Sequence, residues 1–208
     1  MDECKSLGDR LGVHIREVVI VAIVLATPFL LKIDSEVVRI VVEHRIGPLN
    51  MFFYYFTLLG NYIFAIIEGL YVVIYYKDDR KFRYNVAVLI SYTGWLVSDR
   101  IVYALKNIFM RPRPYEACSG VVSICGEPKD YSFPSGHSST AFSLIVPIVL
   151  ETRSKIFRAI LIIYAVLICF SRIYCGVHYL TDVIWGALIG WYISNVIYYL
   201  IWRRIGDK

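Results

Sequence analysis

Long apolar runs separated by short polar stretches dominate the chain. Val183–Trp202 carries no charge, and as a helix rising ~1.5 Å per residue it is long enough to cross ~30 Å of hydrocarbon. Met51–Tyr76 holds a single charge, Glu68, and the run from Tyr84 to about Leu105 is interrupted late by Asp99 and Arg100. Val18–Leu31, Ala159–Ser171 and Ser138 to about Leu150 are shorter and take length from their flanks. The pattern predicts an all-α integral membrane bundle of six transmembrane helices, forming one domain over residues 1–208. Between the first two spans, Asp34 to Asn50, the residues Val37, Val38, Ile40, Val41 and Val42 interleave with charges, which predicts an interfacial helix. Gly186 and Gly190 in "GALIG" have the small-xxx-small spacing that lets helices pack closely.

Composition supports the membrane reading. Of 208 residues 58% are hydrophobic, against ~45–50% in soluble domains. The residues before the first span are mixed in charge, and no small-x-small site follows it, so a retained span is expected rather than a cleaved signal. With the N-terminus inside, the inner segments carry Lys5, Arg10, Arg16, Lys77, Arg80, Lys81, Arg83, Arg153, Lys155, Arg158, Arg203, Arg204 and Lys208. The outer segments carry Lys32, Arg39, Arg45 and Lys129, apart from the cations considered below. The positive-inside rule then puts both termini in the cytoplasm, and a plasma-membrane location is expected. Among five cysteines, Cys118 and Cys125 share one outer loop, so a disulfide between them and a pair of free thiols both stay open. His44 stands alone and reads as a surface histidine.

Three clusters break the apolar pattern: "LKNIFMRPRP" with Lys106, Arg111 and Arg113; "PSGH" at Pro134–His137; and "SRIYCGVHYLTD" with Arg172, His178 and Asp182. Six antiparallel spans place all three on one membrane face, the outer one by the charge rule. Cations gathered there against that rule call for an anionic ligand, and arginine's forked donors match phosphate oxygens. Ser135 and Gly136 open a helix whose first amides are free to bind an anion. His178 and Asp182, four residues apart, share a helical face; the carboxylate can fix the imidazole tautomer and leave the other nitrogen as nucleophile or base. His137, beside the anion site, can supply a proton to a leaving oxygen. Each cluster alone has a bland reading as a membrane-edge loop, a helix cap or a structural pair; the functional reading comes from their convergence. Zinc is disfavoured by the surrounding cations.

At these residues the chain resembles the type-2 phosphatidic acid phosphatase superfamily of integral membrane phosphatases, related to vanadium haloperoxidases. The three family motifs are matched by Lys106 with Arg113-Pro114, by Pro134-Ser135-Gly136-His137, and by Ser171-Arg172 with His178 and Asp182. The resemblance implies His178 as nucleophile through a phosphohistidine, oriented by Asp182, with His137 protonating the leaving group. It implies phosphoryl binding by Lys106, Arg113, Ser135, Gly136 and Arg172, with no metal or other cofactor. Arg111 falls outside the strict pattern and is given a supporting role.

A site at the membrane edge suits a lipid mono- or diphosphate, and the short chain is similar to microbial polyprenyl-pyrophosphate phosphatases, which ranks that substrate ahead of phosphatidate and phosphatidylglycerol phosphate. The expected partners are the lipid substrate and membrane lipids, without nucleic acid or an obligate protein partner. Competing readings are a glucose-6-phosphatase-like sugar-phosphate phosphatase and a non-catalytic lipid-phosphate binder or transporter. Glu68, Asp99 and Arg100 lie within spans, where ionisable groups are costly; Glu68 is expected to pair with a polar group of a neighbouring span, with Arg100 as the named candidate.

Overall fold

The computed structural model describes residues 2–58, 63–75 and 82–205. The inner loop 77–81 and residues 206–208 lie outside the described residues, as do the side chains of Lys5, Arg10, Arg16, Arg203 and Arg204. The described chain is helical: α1 (Asp2–Glu43), α2 (Gly47–Leu58), α3 (Phe64–Tyr75), α4 (Phe82–Phe109), the short α5 (Pro114–Ala117), α6 (Gly136–Glu151), α7 (Lys155–Tyr174) and α8 (Leu180–Ile205). Among the described residues three stretches, Glu17–Glu43, Lys155–Tyr174 and Leu180–Trp202, are long and apolar enough to cross a membrane. The α4 helix, at 28 residues, is longer than any of these stretches, but Asp99, Arg100 and Lys106 reduce its hydropathy. At 16 residues α6 is short, and its first turn is polar.

One boundary differs from the sequence expectation. The segment after Leu31 is no separate interfacial helix: α1 runs unbroken to Glu43. Its interleaved charges pair along the helix, Glu36 with Arg39 at 2.5 Å and Arg39 with Glu43 at 3.9 Å, so the segment is helical as expected but continuous with the first span. Of the expected second span, residues 51–58 lie in α2 and 64–75 in α3, and residues 59–62 lie outside the described residues.

At the centre α4, α6 and α8 pack against one another through small residues. Ser98 Oγ meets Ser143 Oγ at 2.8 Å, Ser194 Oγ donates to Ser143 O at 3.0 Å and Ser91 Oγ to Leu144 O at 2.8 Å. A Cβ on Gly186 would strike the carbonyl oxygen of Ser135, and one on Gly190 that of Ser139. The "GALIG" glycines therefore admit the α6 backbone against α8, at the turn that begins the polar motif. Val88, Ala141, Ile145, Leu161, Ala165 and Ile168 extend this core to α7. By contrast, the apolar part of α1 is only 6% buried. It docks through Val38, which joins Val121, Ile173, Tyr179 and Val183 in a second cluster, and through buried Asp34.

The candidate Glu68–Arg100 pair does not form, and no other hydrogen-bonding partner for Glu68 is found among the described residues. Arg100 Nη2 bonds Asp99 Oδ2 at 2.6 Å, one residue away. Glu68 is buried beside a largely apolar cavity of about 510 Å³, and neither carboxylate oxygen has a hydrogen-bond partner among the described residues. Adjacency decides against the longer pairing: Asp99 is within reach of Arg100 without any helix having to turn. His44 is exposed, as expected, with Nδ1 2.8 Å from Ile40 O.

Candidate active site

The C-terminal ends of α4 and α7 and the N-terminal ends of α6 and α8 meet at one end of the bundle. Ser135 caps α6: its backbone is extended (φ −72°, ψ 116°), and its hydroxyl accepts from Ser138 N at 3.4 Å. The Ser135 N–H donates to Asp182 O at 2.9 Å, tying the start of α6 to the start of α8. The amides of Gly136 and His137 follow in the first turn, where no earlier helical carbonyl can reach them. At Gly136 a Cβ would meet only Val102 Cγ1, at 4.0 Å. Packing therefore does not demand glycine there; its absent side chain leaves the backbone open to the adjoining cavity.

The cations surround this turn. Lys106 is buried, with Nζ 2.9 Å from Asp130 Oδ2 and donating to Tyr131 O. Arg113 is buried too. Its Nη2 bonds Asp130 Oδ1 at 2.7 Å, Nε donates to Asp130 O at 2.8 Å, and Nη1 donates to Val177 O at 2.8 Å. Pro114 at the first position of α5 and Glu116, which accepts from the Arg113 amide at 2.8 Å, fix the backbone that carries this guanidinium. Arg172 Nη1 bonds Thr57 Oγ1 at 2.7 Å, while its buried Nε has no partner among the described residues. An anionic oxygen is the group that would satisfy it.

His178 lies in the turn between α7 and α8 and is 2% exposed. Its Nδ1 stands 3.4 Å from Asp182 Oδ2, and its Nε2 stands 3.3 Å from Arg113 Nη1. A guanidinium can only donate. Nε2 therefore presents its lone pair, and the ring proton sits on Nδ1, facing the carboxylate. Burial first, then the charges of Arg113, Arg172 and Lys106, push this imidazole well below its ordinary range. His137 is within electrostatic reach of His178, Arg172, Arg113 and Lys106, and it lines a cavity of about 580 Å³ with Lys106, Asp130 and Gly136. The eight residues that the motifs nominate are thus brought together.

Arg111 has a different place. It faces inward, with Nη1 2.7 Å from Asp182 Oδ1 and from Thr181 Oγ1, and Nη2 2.8 Å from Asp34 Oδ2. Its guanidinium lies over the Tyr179 ring at 3.8 Å. Asp182 also accepts from Ser132 Oγ and, at 2.9 Å, from the Tyr179 amide. Asp34 in turn accepts from the Thr181 amide at 3.0 Å and from the Thr181 hydroxyl. Arg111 braces the Asp182 carboxylate and does not line the cavity beside His137.

Sequence reasoning missed two residues. Asp34 figures in the sequence only as the start of the link between the first two spans, and nothing local marks it as the partner of a distant arginine. Asp130 belongs to none of the motifs and is not singled out by the sequence. Partial burial pushes its carboxyl up, but the hydrogen bond and charge of Lys106, together with Arg113, outweigh this and hold it down at about 2. It is the internal anion of a cationic pocket. The cysteine pairing also departs from both alternatives left open: Cys125 is joined to Cys175, and Cys118 is free, its Sγ 3.5 Å from Tyr179 Oη. The loop folds back on the end of α7, so the cysteine fifty residues away is the near one.

Two histidines thus stand among buried cations at one end of a helical bundle, an arrangement suited to an anionic ligand. The sequence profile of the PAP2 superfamily matches residues 80–206, and the chain belongs to that superfamily. It is 29% identical over 162 residues to an undecaprenyl-diphosphatase of Sulfolobus acidocaldarius, covering 77% of this chain and 75% of that one. It is also 29% identical over 163 residues to a lipid A 4'-phosphatase of Porphyromonas gingivalis, covering 76% and 67%. Aquifex aeolicus LpxE superposes with a TM-score of 0.66 at 29% identity, over 79% of this chain and 94% of that one. A PAP2-type phosphatidylglycerolphosphate phosphatase from Bacillus subtilis superposes with a TM-score of 0.65 over 88% and 93%; at 23% identity this is a likeness of fold. The chain is accordingly an integral membrane hydrolase of the lipid phosphatase class.

Proposed function

We propose that the protein hydrolyses a lipid mono- or diphosphate without a metal, through a phosphohistidine, with a polyprenyl pyrophosphate ranked first among substrates. The supporting observation is the lone pair of His178 Nε2, turned toward Arg113 in a pocket that also holds Lys106 and the half-satisfied Arg172. The phosphoryl group takes the position between these cations and the first turn of α6, and Asp130 gives up its bonds to Lys106 and Arg113. His178 Nε2 forms a bond to phosphorus as the bond from phosphorus to the lipid-side oxygen breaks. His137 gives that oxygen its proton, while Asp182 stabilises the charged ring through Nδ1. Water, losing a proton to His137, then attacks phosphorus; the P–N bond breaks, and inorganic phosphate leaves. Arg111 and Asp34 keep Asp182 in register.

Six spans fit the order of elements, with α2 and α3 as two halves of one. The end opposite the site gathers Arg83, bonded to Glu151 at 2.9 Å, and Arg158, bonded to Thr152 O at 2.8 Å. The positive-inside rule makes that end cytoplasmic. The Cys125–Cys175 disulfide lies at the other end, and a disulfide belongs in an oxidising compartment. The site then faces outside the cytoplasm, at the membrane edge, in the plasma membrane.

The test is phosphate release by the purified protein across phosphatidate, phosphatidylglycerol phosphate, polyprenyl pyrophosphate and a soluble sugar phosphate, with a strong chelator present. Turnover of the lipids in chelator, inhibited by vanadate, is expected. Activity restricted to the sugar phosphate, or recovered only when metal is added back, would overturn the proposal.

A further inference from the structure

The cavity beside His137 and Lys106 does not end at the phosphate site. It continues along α4 past Tyr103 to Asp99, Arg100 and Leu96. Arg100 lies six residues before Lys106, or about 9 Å along the helix axis, on the tail side of the phosphate. Leu96 and Tyr103 on this side of α4 are exposed, so the cavity opens toward lipid rather than toward a packed neighbour. An arginine within a membrane helix is costly, and its presence there calls for a partner or a function. Asp99 engages Nη2 only; the Arg100 side chain remains 78% exposed, against 41% for Asp99. The guanidinium is therefore the group offered to the cavity, with its other N–H donors turned out of the pair.

We propose that Arg100 recognises a second phosphate of the lipid substrate, on the membrane side of the phosphate that is hydrolysed. The inference rests on the lipid phosphatase reading above and adds a subsite to it. Asp99 holds the empty guanidinium in place. A long side chain at this depth extends toward the membrane edge, where it can fork onto the non-scissile phosphate. A single-phosphate lipid leaves Arg100 with Asp99 alone. Two chemistries supply such a second phosphate: a lipid diphosphate, and a phosphomonoester joined through a short carbon bridge to a phosphodiester.

The experiment compares the full-length wild type with Arg100→Gln and Arg100→Lys in detergent micelles, using phosphatidate, a polyprenyl diphosphate and phosphatidylglycerol phosphate. For at least one two-phosphate lipid, kcat/KM relative to that for phosphatidate is expected to fall about tenfold in Arg100→Gln, through KM, and to recover in part in Arg100→Lys. A fall confined to one of the two lipids identifies which source the subsite reads. Ratios within about twofold of wild type for both lipids, or a kcat loss shared equally by all three, would overturn the proposal. If the wild type hydrolyses none of them, the underlying phosphatase reading fails as well; if it does and the ratios hold, only the subsite is lost.

Discussion

Arg111 Nη1 lies 2.7 Å from Asp182 Oδ1, and the same guanidinium reaches Asp34 on α1 through Nη2 at 2.8 Å. The carboxylate that faces His178 Nδ1 is thus held by a helix from the far end of the chain. Asp34 and Asp182 have nearly fully buried side chains and share one cation. Removing one carboxylate leaves a buried charge network short of a partner, which costs about 3–5 kcal/mol when a buried pair is broken. Asp34→Ala is therefore expected to lower the thermal midpoint and reduce phosphate release together, whereas Asp34→Asn, which keeps an acceptor for the Thr181 amide, recovers part of the stability. An Asp34→Ala protein with the wild-type midpoint and rate would remove α1 from the site.

The two histidines should separate by leaving group. His178→Ala is expected to abolish turnover and acid-labile phosphate on the protein while the fold, followed by circular dichroism, is retained. His137→Ala should slow an alkyl phosphate, whose alkoxide leaves poorly, by about 10²–10⁴-fold and a diphosphate by less. Equal losses on both substrates would speak against His137 as the proton donor.

The pH profile follows from the environment of His178. Its folded pKa is lowered, so protonation waits for a more acidic solution and the lone pair survives as pH falls through the ordinary histidine range. The acid limb of kcat/KM is expected below pH ~6.5. Arg113→Gln removes a neighbouring cation and should move that limb upward. With the same substrate used for both proteins, ionisation of the substrate cancels. A limb that stays in place would show that another group titrates.

Gly186 separates packing from chemistry. Its missing side chain admits the Ser135 carbonyl, so Gly186→Ala must push the first turn of α6 away from α8. Overpacking of this kind costs ~1–3 kcal/mol, and it also displaces the amides of Gly136 and His137. Activity is expected to fall further than the loss of stability accounts for, as read by phosphate release at a temperature where the variant is fully folded. A matched pair of wild-type values would sink the idea.

Cys125–Cys175 ties the loop that holds Asp130 to the turn that holds His178. Removing a native disulfide costs about 2–5 kcal/mol in small secreted domains. Reduction with dithiothreitol, or Cys125→Ser, should lower the thermal midpoint and the rate, whereas Cys118→Ser should change neither. Mass spectrometry of the unreduced peptides checks the pairing directly.

Much was already legible in the chain itself. The apolar runs located the principal helices, because burial in lipid or in a bundle leaves a local composition signature. The spacing of Lys106, Arg113, Ser135, His137, Arg172, His178 and Asp182 nominated the site, because anion binding and imidazole chemistry need particular side chains at helix ends. What the chain alone could not reveal was pairing at a distance. Asp34 meets Thr181 across 147 positions, Cys125 meets Cys175 across fifty, and Asp130 enters the cationic pocket from a loop. Propensity, hydropathy and charge act over a turn or two of helix. Which acid satisfies which arginine depends on how α1, α4, α6, α7 and α8 pack, and only the folded bundle fixes those distances.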